Sequence, residues 1–290
     1  MDTDILEQEI NISDTFNNDS ILEQEIVLPE DDTYPVNIDM IKEWYTDVVL
    51  YEIVKQTYRK EVAFLRKNNY VRNVKAFTVL YLIQNMKAMG FYRKVHNMYY
   101  SVAYFNNLPT FSFNFITRKL QQQKFRTDYI KYLSGMDIAI DFDAHEGKNI
   151  KEAYDEFKYV HELFSKQKVP FSPRFSGSGF HIVIPFEDFP EGIAWREFPE
   201  EFLKEIRRFL NLPSLDTSTG SHRSLLKIPY TLDIKTGNVC LPLHPKQVDN
   251  FNIKDMSMKH NLSVPMRNRG IMKRSGNKET FKRFIGDYLW

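Results

Sequence analysis

The stretch Asp137-Ile138-Ala139-Ile140-Asp141-Phe142-Asp143 reads as a β-strand that ends in two carboxylates. Side chains alternate across a strand with a period of two, so Asp141 and Asp143 share one face while Ile138, Ile140 and Phe142 occupy the other. The apolar face can be buried and the acidic face cannot. Two carboxylates held side by side repel, and a fold tolerates that most readily where a divalent cation neutralises them. The strand end therefore predicts a metal site, although Asp-x-Asp alone is a common tripeptide. Asp137 shares that face but stands four residues from Asp141, roughly 13 Å along a strand, too far to ligate the same ions.

Two later segments strengthen this expectation. Phe175-Ser176-Gly177-Ser178-Gly179-Phe180-His181 is a small, glycine-containing turn that runs into the buried strand Ile182-Val183-Ile184. Such a turn offers backbone N–H groups and the hydroxyls of Ser176 and Ser178 to a phosphate. Further on, Leu215-Asp216-Thr217 supplies a third carboxylate, and Arg223, Lys227 and Lys235 supply cations. Three acids, a phosphate-cradling turn and cations are the components of metal-dependent phosphoryl transfer.

In this order the motifs resemble the archaeo-eukaryotic primase superfamily, and within it the catalytic small subunit of archaeal primase. Arg59-Lys60-Glu61-Val62-Ala63-Phe64 and Tyr99-Tyr100-Ser101-Val102-Ala103-Tyr104 are similar to two upstream segments of that subunit, and the likeness spans roughly Tyr45 to Pro242. The resemblance implies that Asp141, Asp143 and Asp216 hold two Mg²⁺ or Mn²⁺ ions. It implies that Ser176, His181 and Lys235 contact the phosphates of an incoming nucleotide, with Arg223 and Lys227 as further cations. The activity it implies is template-directed synthesis of primers on single-stranded DNA from nucleoside triphosphates. The implied fold is an α+β core with an RRM-like sheet beside a second α/β unit. A primase large subunit or another replication protein is the implied partner.

The chain also departs from that pattern. Its turn is one residue shorter than the Ser-Gly-x-x-Gly-x-His common in the family, with Ser178 in place of a basic residue, and Asp233 stands where the family often has a histidine. Both changes remove positive charge from the triphosphate site. A zinc knuckle needs three or four clustered Cys or His ligands. Cys240 is the single cysteine and the seven histidines are scattered, so no structural zinc is expected.

The chain has 290 residues, 42% of them hydrophobic, enough to bury a sizeable core. It has no apolar run of membrane-spanning length and no basic, hydrophobic leader, so a cytoplasmic protein is expected, and the resemblance implies a prokaryotic or viral replication setting. The net charge of +1 conceals a strong polarity. Residues 1–40 contain twelve acidic residues and no Lys or Arg, which leaves 39 basic against 26 acidic residues in the remainder. That excess suits a polyanionic partner. The acidic segment carries a duplicated motif, Ile5-Leu6-Glu7-Gln8-Glu9-Ile10 and Ile21-Leu22-Glu23-Gln24-Glu25-Ile26. Residues 1–40 are thus expected to be a disordered tail. The repeat suits bivalent docking onto a replication partner, a neutral duplication being the competing explanation. A third expectation is that the tail mimics DNA over a basic groove.

Residues 41–290 are expected to form the catalytic domain, with a basic C-terminal part from about 246. Periodicity predicts helices over 41–66, 73–89, 151–168, 199–210 and 278–290, and strands over 99–105, 225–228 and 239–241. The Gln-rich stretch before Leu133 reads as a polar approach to the acidic strand. The basic segment 266–274 is a further candidate for phosphate contact. His145 and Glu146 read as loop residues, His161 as a core-edge histidine, and His222 as a histidine near the cationic loop. Tyr99 and Tyr104 read as buried aromatics rather than bases' stacking partners.

Overall fold

The computed structural model describes residues 35–66, 69–76, 78–88, 97–109, 115–143, 150–186 and 197–264. The chain divides into two units at Thr33 and Tyr34, and everything below concerns the second. The duplicated acidic motif, His145, Glu146, the basic segment 266–274 and the expected terminal helix lie outside the described residues. Val36 is already buried in the core, so the folded unit includes residues ahead of the boundary expected at 40.

The single helix expected over 41–66 is three elements. Helix α1 (Ile38–Trp44) starts at Asn37, whose side chain accepts from Met40 N, and α2 (Asp47–Gln56) restarts after Thr46 in an extended conformation. A left-handed Arg59 (φ 57°) then turns the chain into strand β1 (Glu61–Arg66). On α2 the buried side chains are Val49, Leu50, Ile53 and Gln56, while the apolar Val48 and Tyr51 are exposed. The helix expected over 73–89 is likewise divided, into strand β2 (Asn69–Lys75) and helix α3 (Val79–Ala88). Cross-strand pairing decides β2: Glu61, itself fully buried, binds Arg72 on the neighbouring strand at 2.9 Å.

The strand expected over 99–105 is β3 (Asn97–Ser101) and β4 (Ala103–Phe105), and the Gln-rich stretch is helix α4 (Phe115–Asp128). Strand β5 (Leu133–Met136) leads into the acidic strand β6 (Ile138–Phe142). Helix α5 (Ile150–Lys166) buries Ala153, Phe157, Val160, His161 and Phe164 at helical spacing. Strands β7 (Ser172–Phe175) and β8 (Phe180–Ile184) flank the serine–glycine turn. Helix α6 (Phe198–Leu210), strand β9 (Leu215–Asp216), a 3₁₀ turn (Thr217–Gly220), β10 (Leu225–Lys227) and β11 (Leu241–Pro242) follow. The strand expected over 239–241 is displaced, with Val239 forming only an isolated bridge to Leu232.

The strands form a four-stranded sheet, β10-β3-β1-β2, and a five-stranded sheet, β11-β7-β8-β6-β9, joined by a β4-β5 ladder. All pairings among the described strands are antiparallel. Because β3 runs on into β4 and β5 into β6, that short ladder ties one sheet to the other. A buried cation fixes the joint: Lys60 Nζ lies 2.8 Å from Asp137 and donates to the carbonyls of Ser101 and Val102. It also sits 3.7 Å from the Tyr104 ring centroid. Among the described residues no helix is long and apolar enough to cross a membrane.

Candidate active site

Register across the five-stranded sheet turns the alternation of β6 into two parallel rows. One row runs Leu241, Phe175, Phe180, Phe142, Leu215, each directly opposite the next. It is apolar throughout and packs on α5, with Phe157 stacked on Phe180 at 4.9 Å and edge-on to Phe142 at 6.1 Å. The adjacent row, facing the other way, runs Pro242, Arg174, His181, Asp141, Asp216. Residues directly opposite on one face have Cβ atoms about 4.5–5.5 Å apart. Asp216 therefore reaches Asp141 through strand pairing although 75 residues separate them in sequence.

A cleft of about 110 Å³ opens beside this row, lined among others by Asp141, Asp143, Ser176, Ser178, His181 and Lys227. Lys227 comes from the four-stranded sheet, opposite Tyr99, so both sheets contribute to the cleft. Six of the nine site residues expected from the sequence thus line one cavity. Asp216 stands on the edge strand opposite Asp141. Lys235 is exposed, close enough to influence Lys227 electrostatically, and its N–H donates to Asp233. Arg223 is exposed and leans over the Tyr129 ring, outside the residues that line the cleft. His222 contacts that same ring.

The glycines of the turn are required by close approach. Gly177 has φ +104°, and a Cβ there would lie 2.6 Å from Asp233 Cβ. A Cβ on Gly179 would lie 2.5 Å from the Phe142 carbonyl oxygen and 2.8 Å from Asp143 Oδ1. The turn is therefore wedged between Asp143 and Asp233. Its backbone is partly self-satisfied, which narrows the expected phosphate cradle: Ser176 N donates to the Gly179 carbonyl at 2.8 Å, and Gly179 N donates to Ser176 Oγ at 2.9 Å. Ser178 is the exposed hydroxyl and Ser176 the buried one.

Residues beyond the nine expected complete the surroundings. Arg174, with no exposed surface, donates from Nε to His181 Nδ1 at 3.0 Å and from Nη1 to the Tyr100 hydroxyl at 2.5 Å. An imidazole nitrogen that accepts carries no proton, so the His181 proton sits on Nε2. That nitrogen lies 3.1 Å from Asp141 Oδ1. The approach is not aligned as a hydrogen bond, and Asp141 Oδ1 is a buried oxygen with no hydrogen-bond partner. Asp233 is the ion-pair partner of Lys227. Burial pushes the Lys227 ammonium down to about 8. Cys240, buried beneath it, is pushed up to about 11 by the same desolvation and is an inert thiol. The sequence signal for Arg174 was a lone cation within an apolar strand.

Carboxylate oxygens suit hard divalent cations, and the unsatisfied, buried Asp141 oxygen fits such a ligand. Both Asp216 oxygens accept from Ser218, one from its N–H and one from its hydroxyl, each at 2.8 Å. Among the described residues no group of three or more His, Cys, Asp or Glu side chains is gathered to hold a metal ion. As it stands, then, the expected three-acid set comprises two acids lining the cleft and a third held by its own turn.

No protein-family model and no curated protein sequence matches the chain. Among solved structures, the polymerase domain of Ligase D from Mycobacterium tuberculosis, in complex with DNA, is similar with a TM-score of 0.56 at 14% identity. The match covers 87% of this chain and 98% of that domain. The primase-polymerase of cyanophage S-2L aligns at TM-score 0.38 and 14% identity, over 75% of this chain and 98% of that one. The primase RepB′ aligns at 0.39 and 8%, over 83% of this chain and 69% of that one. The first likeness establishes the fold: the described unit has the mixed α/β architecture of that polymerase domain.

Proposed function

We propose that this protein is a template-directed nucleotidyltransferase that joins nucleoside triphosphates into primers on single-stranded DNA. One observation carries the reading: strand register sets Asp216 opposite Asp141, and Asp141 lines a cleft together with Asp143, Ser176, Ser178, His181 and Lys227. Asp141, Asp143 and Asp216 would hold Mg²⁺ or Mn²⁺, which supplies charge neutralisation at the reacting phosphate and activation of the attacking hydroxyl. Lys227 and the Ser178 hydroxyl bind the triphosphate, with Lys235 at the rim. The Arg174–His181 pair orients the Asp141 side of the cleft, and the basic excess of the chain favours a nucleic-acid strand. A replication partner docked by the acidic repeat remains part of this reading.

Primer synthesis on an unprimed single-stranded circle, with ribo- or deoxyribonucleotides and in Mg²⁺ or Mn²⁺, tests it. Dinucleotides and short oligomers are expected. Replacing both Asp141 and Asp143 with alanine should abolish them while strand binding persists, and synthesis at the wild-type rate by that variant would refute the site. A second reading, extension of existing ends, is favoured by the likeness to a polymerase domain of Ligase D held on DNA. Products from a primed template together with none from the unprimed circle would select it.

A further inference from the structure

A second concavity lies outside the carboxylate cleft, at the C-terminal end of α6. It is an open hollow of about 530 Å³ lined by Lys204, Arg207, Arg208, Asn211, Pro213 and Thr217 among others, with no acidic side chain among the described residues of its wall. Lys204, Arg207 and Arg208 fall at i, i+3 and i+4 and so project from one face of the helix. Lys204 pairs with Glu200 and Glu201, and Arg208 with Glu205, all exposed. Exposed pairs of this kind are weak and exchange readily for a stronger anion. Arg207 has no acidic partner among the described residues, the one hydrogen bond of its guanidinium being a long 3.5 Å approach to the Pro213 carbonyl.

Cations in a last helical turn commonly offset the helix dipole. Here backbone groups already do part of that work, because the N–H groups of Asn211 and Leu212 both donate to the Arg207 carbonyl. The guanidinium groups are left facing the cavity.

The position of the cavity connects it with the site. Thr217 forms part of its wall and directly follows Asp216, the edge member of the polar row. The 3₁₀ turn that Thr217 begins packs tightly on the first turn of α6, where a Cβ on Gly220 would lie 2.5 Å from Glu200 Cα. The carboxylate edge and the basic cavity are thus fixed to one another.

We infer that this cavity binds the phosphodiester backbone of a single nucleic-acid strand that leaves the carboxylate cleft past Asp216. The inference rests on the nucleic-acid reading above and adds the place where a strand is gripped. Arginine pairs with phosphate through two parallel N–H donors, and the open cavity accepts consecutive phosphates without reading bases.

The test is fluorescence anisotropy of labelled oligothymidylate, about twenty nucleotides long, with the full chain, without nucleotide, across a salt series. Arg207→Glu with Arg208→Glu should weaken binding about ten-fold at low salt. The slope of log affinity on log salt should shrink by about 0.7 for each phosphate that the variant no longer neutralises. Titration with a fluorescent nucleoside triphosphate should be unchanged, and circular dichroism checks the fold. The charge-matched control is Lys166→Glu with Lys254→Glu, two exposed lysines outside the cavity. An unchanged salt slope, or an equal weakening in the control, would overturn the assignment, as would a wild-type chain that binds no strand. A chain that binds the strand through this cavity yet makes no primers leaves the assignment standing and removes only the primase reading.

Discussion

Arg174 shows how a single buried cation organises the cleft without lining it. Fully enclosed, it spends one donor on His181 and one on Tyr100, while Nη2 has no partner. Leaving a buried charge with such partial compensation is expensive, and that expense is tolerable where the charge fixes a functional neighbour. Lys227 presents the complementary case. Burial lowers its pKa to about 8, so the ammonium is present below that pH and lost above it. If Lys227 holds the triphosphate, kcat/KM for nucleotide should fall as pH rises through about 8. The fall should be absent from the residual activity of Lys227→Met. A pH profile of single-nucleotide extension by both proteins checks this, and matching profiles would exclude Lys227 from phosphate binding.

At the scale of elements, the turn between β7 and β8 and the joint between β5 and β6 carry the geometry. Gly179→Ala would drive a methyl group against the Phe142 carbonyl and the Asp143 carboxylate. Synthesis should fall at least as far as it does for Gly177→Ala, where the methyl meets Asp233 and the backbone is strained by about 1–3 kcal/mol. Comparing activity with urea midpoints for the two variants separates displaced Asp143 from simple instability. At the joint, Lys60 and Asp137 are 3% and 2% exposed. Breaking a buried pair by removing one partner costs about 3–5 kcal/mol, whereas replacing both with apolar groups is often neutral. Lys60→Met should therefore lower stability by about that amount, and adding Asp137→Leu should restore most of it. Urea denaturation of the single and double variants measures the difference.

Across the whole molecule the dominant feature is separation of charge. The acidic residues of 1–33 precede a folded unit whose excess is basic. If the acidic segment competes with nucleic acid for that unit, removing residues 1–33 should tighten single-strand binding at low salt, and the gain should vanish as salt screens it. Equal affinities at low salt would dispose of the DNA-mimic reading and leave partner docking and neutral duplication. Cutting at 33 rather than 40 matters, because Val36 is a core residue and Asn37 caps α1.

Local rules made some of this protein readable in advance. The alternation of β6 separated Ile138, Ile140 and Phe142 from Asp141, the amphipathic period of α5 was plain, and the glycines of the turn marked a tight reversal. Those signals depend on near neighbours along the chain. Asn69–Lys75 as a strand, the break at Thr46 and the exposure of Val48 depend instead on partners far away, and helical periodicity misled there. Arg174 was invisible as a site component for the same reason, and so was the pairing of Asp233 with Lys227, since these roles exist only once β7 meets β8 and Lys227 is buried beside the turn. The sequence alone determined which acids and hydroxyls were available and which strand face they occupied. Tertiary structure decided that Asp216 stands opposite Asp141 and that Lys227 crosses from the other sheet, because hydrogen-bond register between strands, unlike alternation within one, is set by residues the chain brings together only on folding.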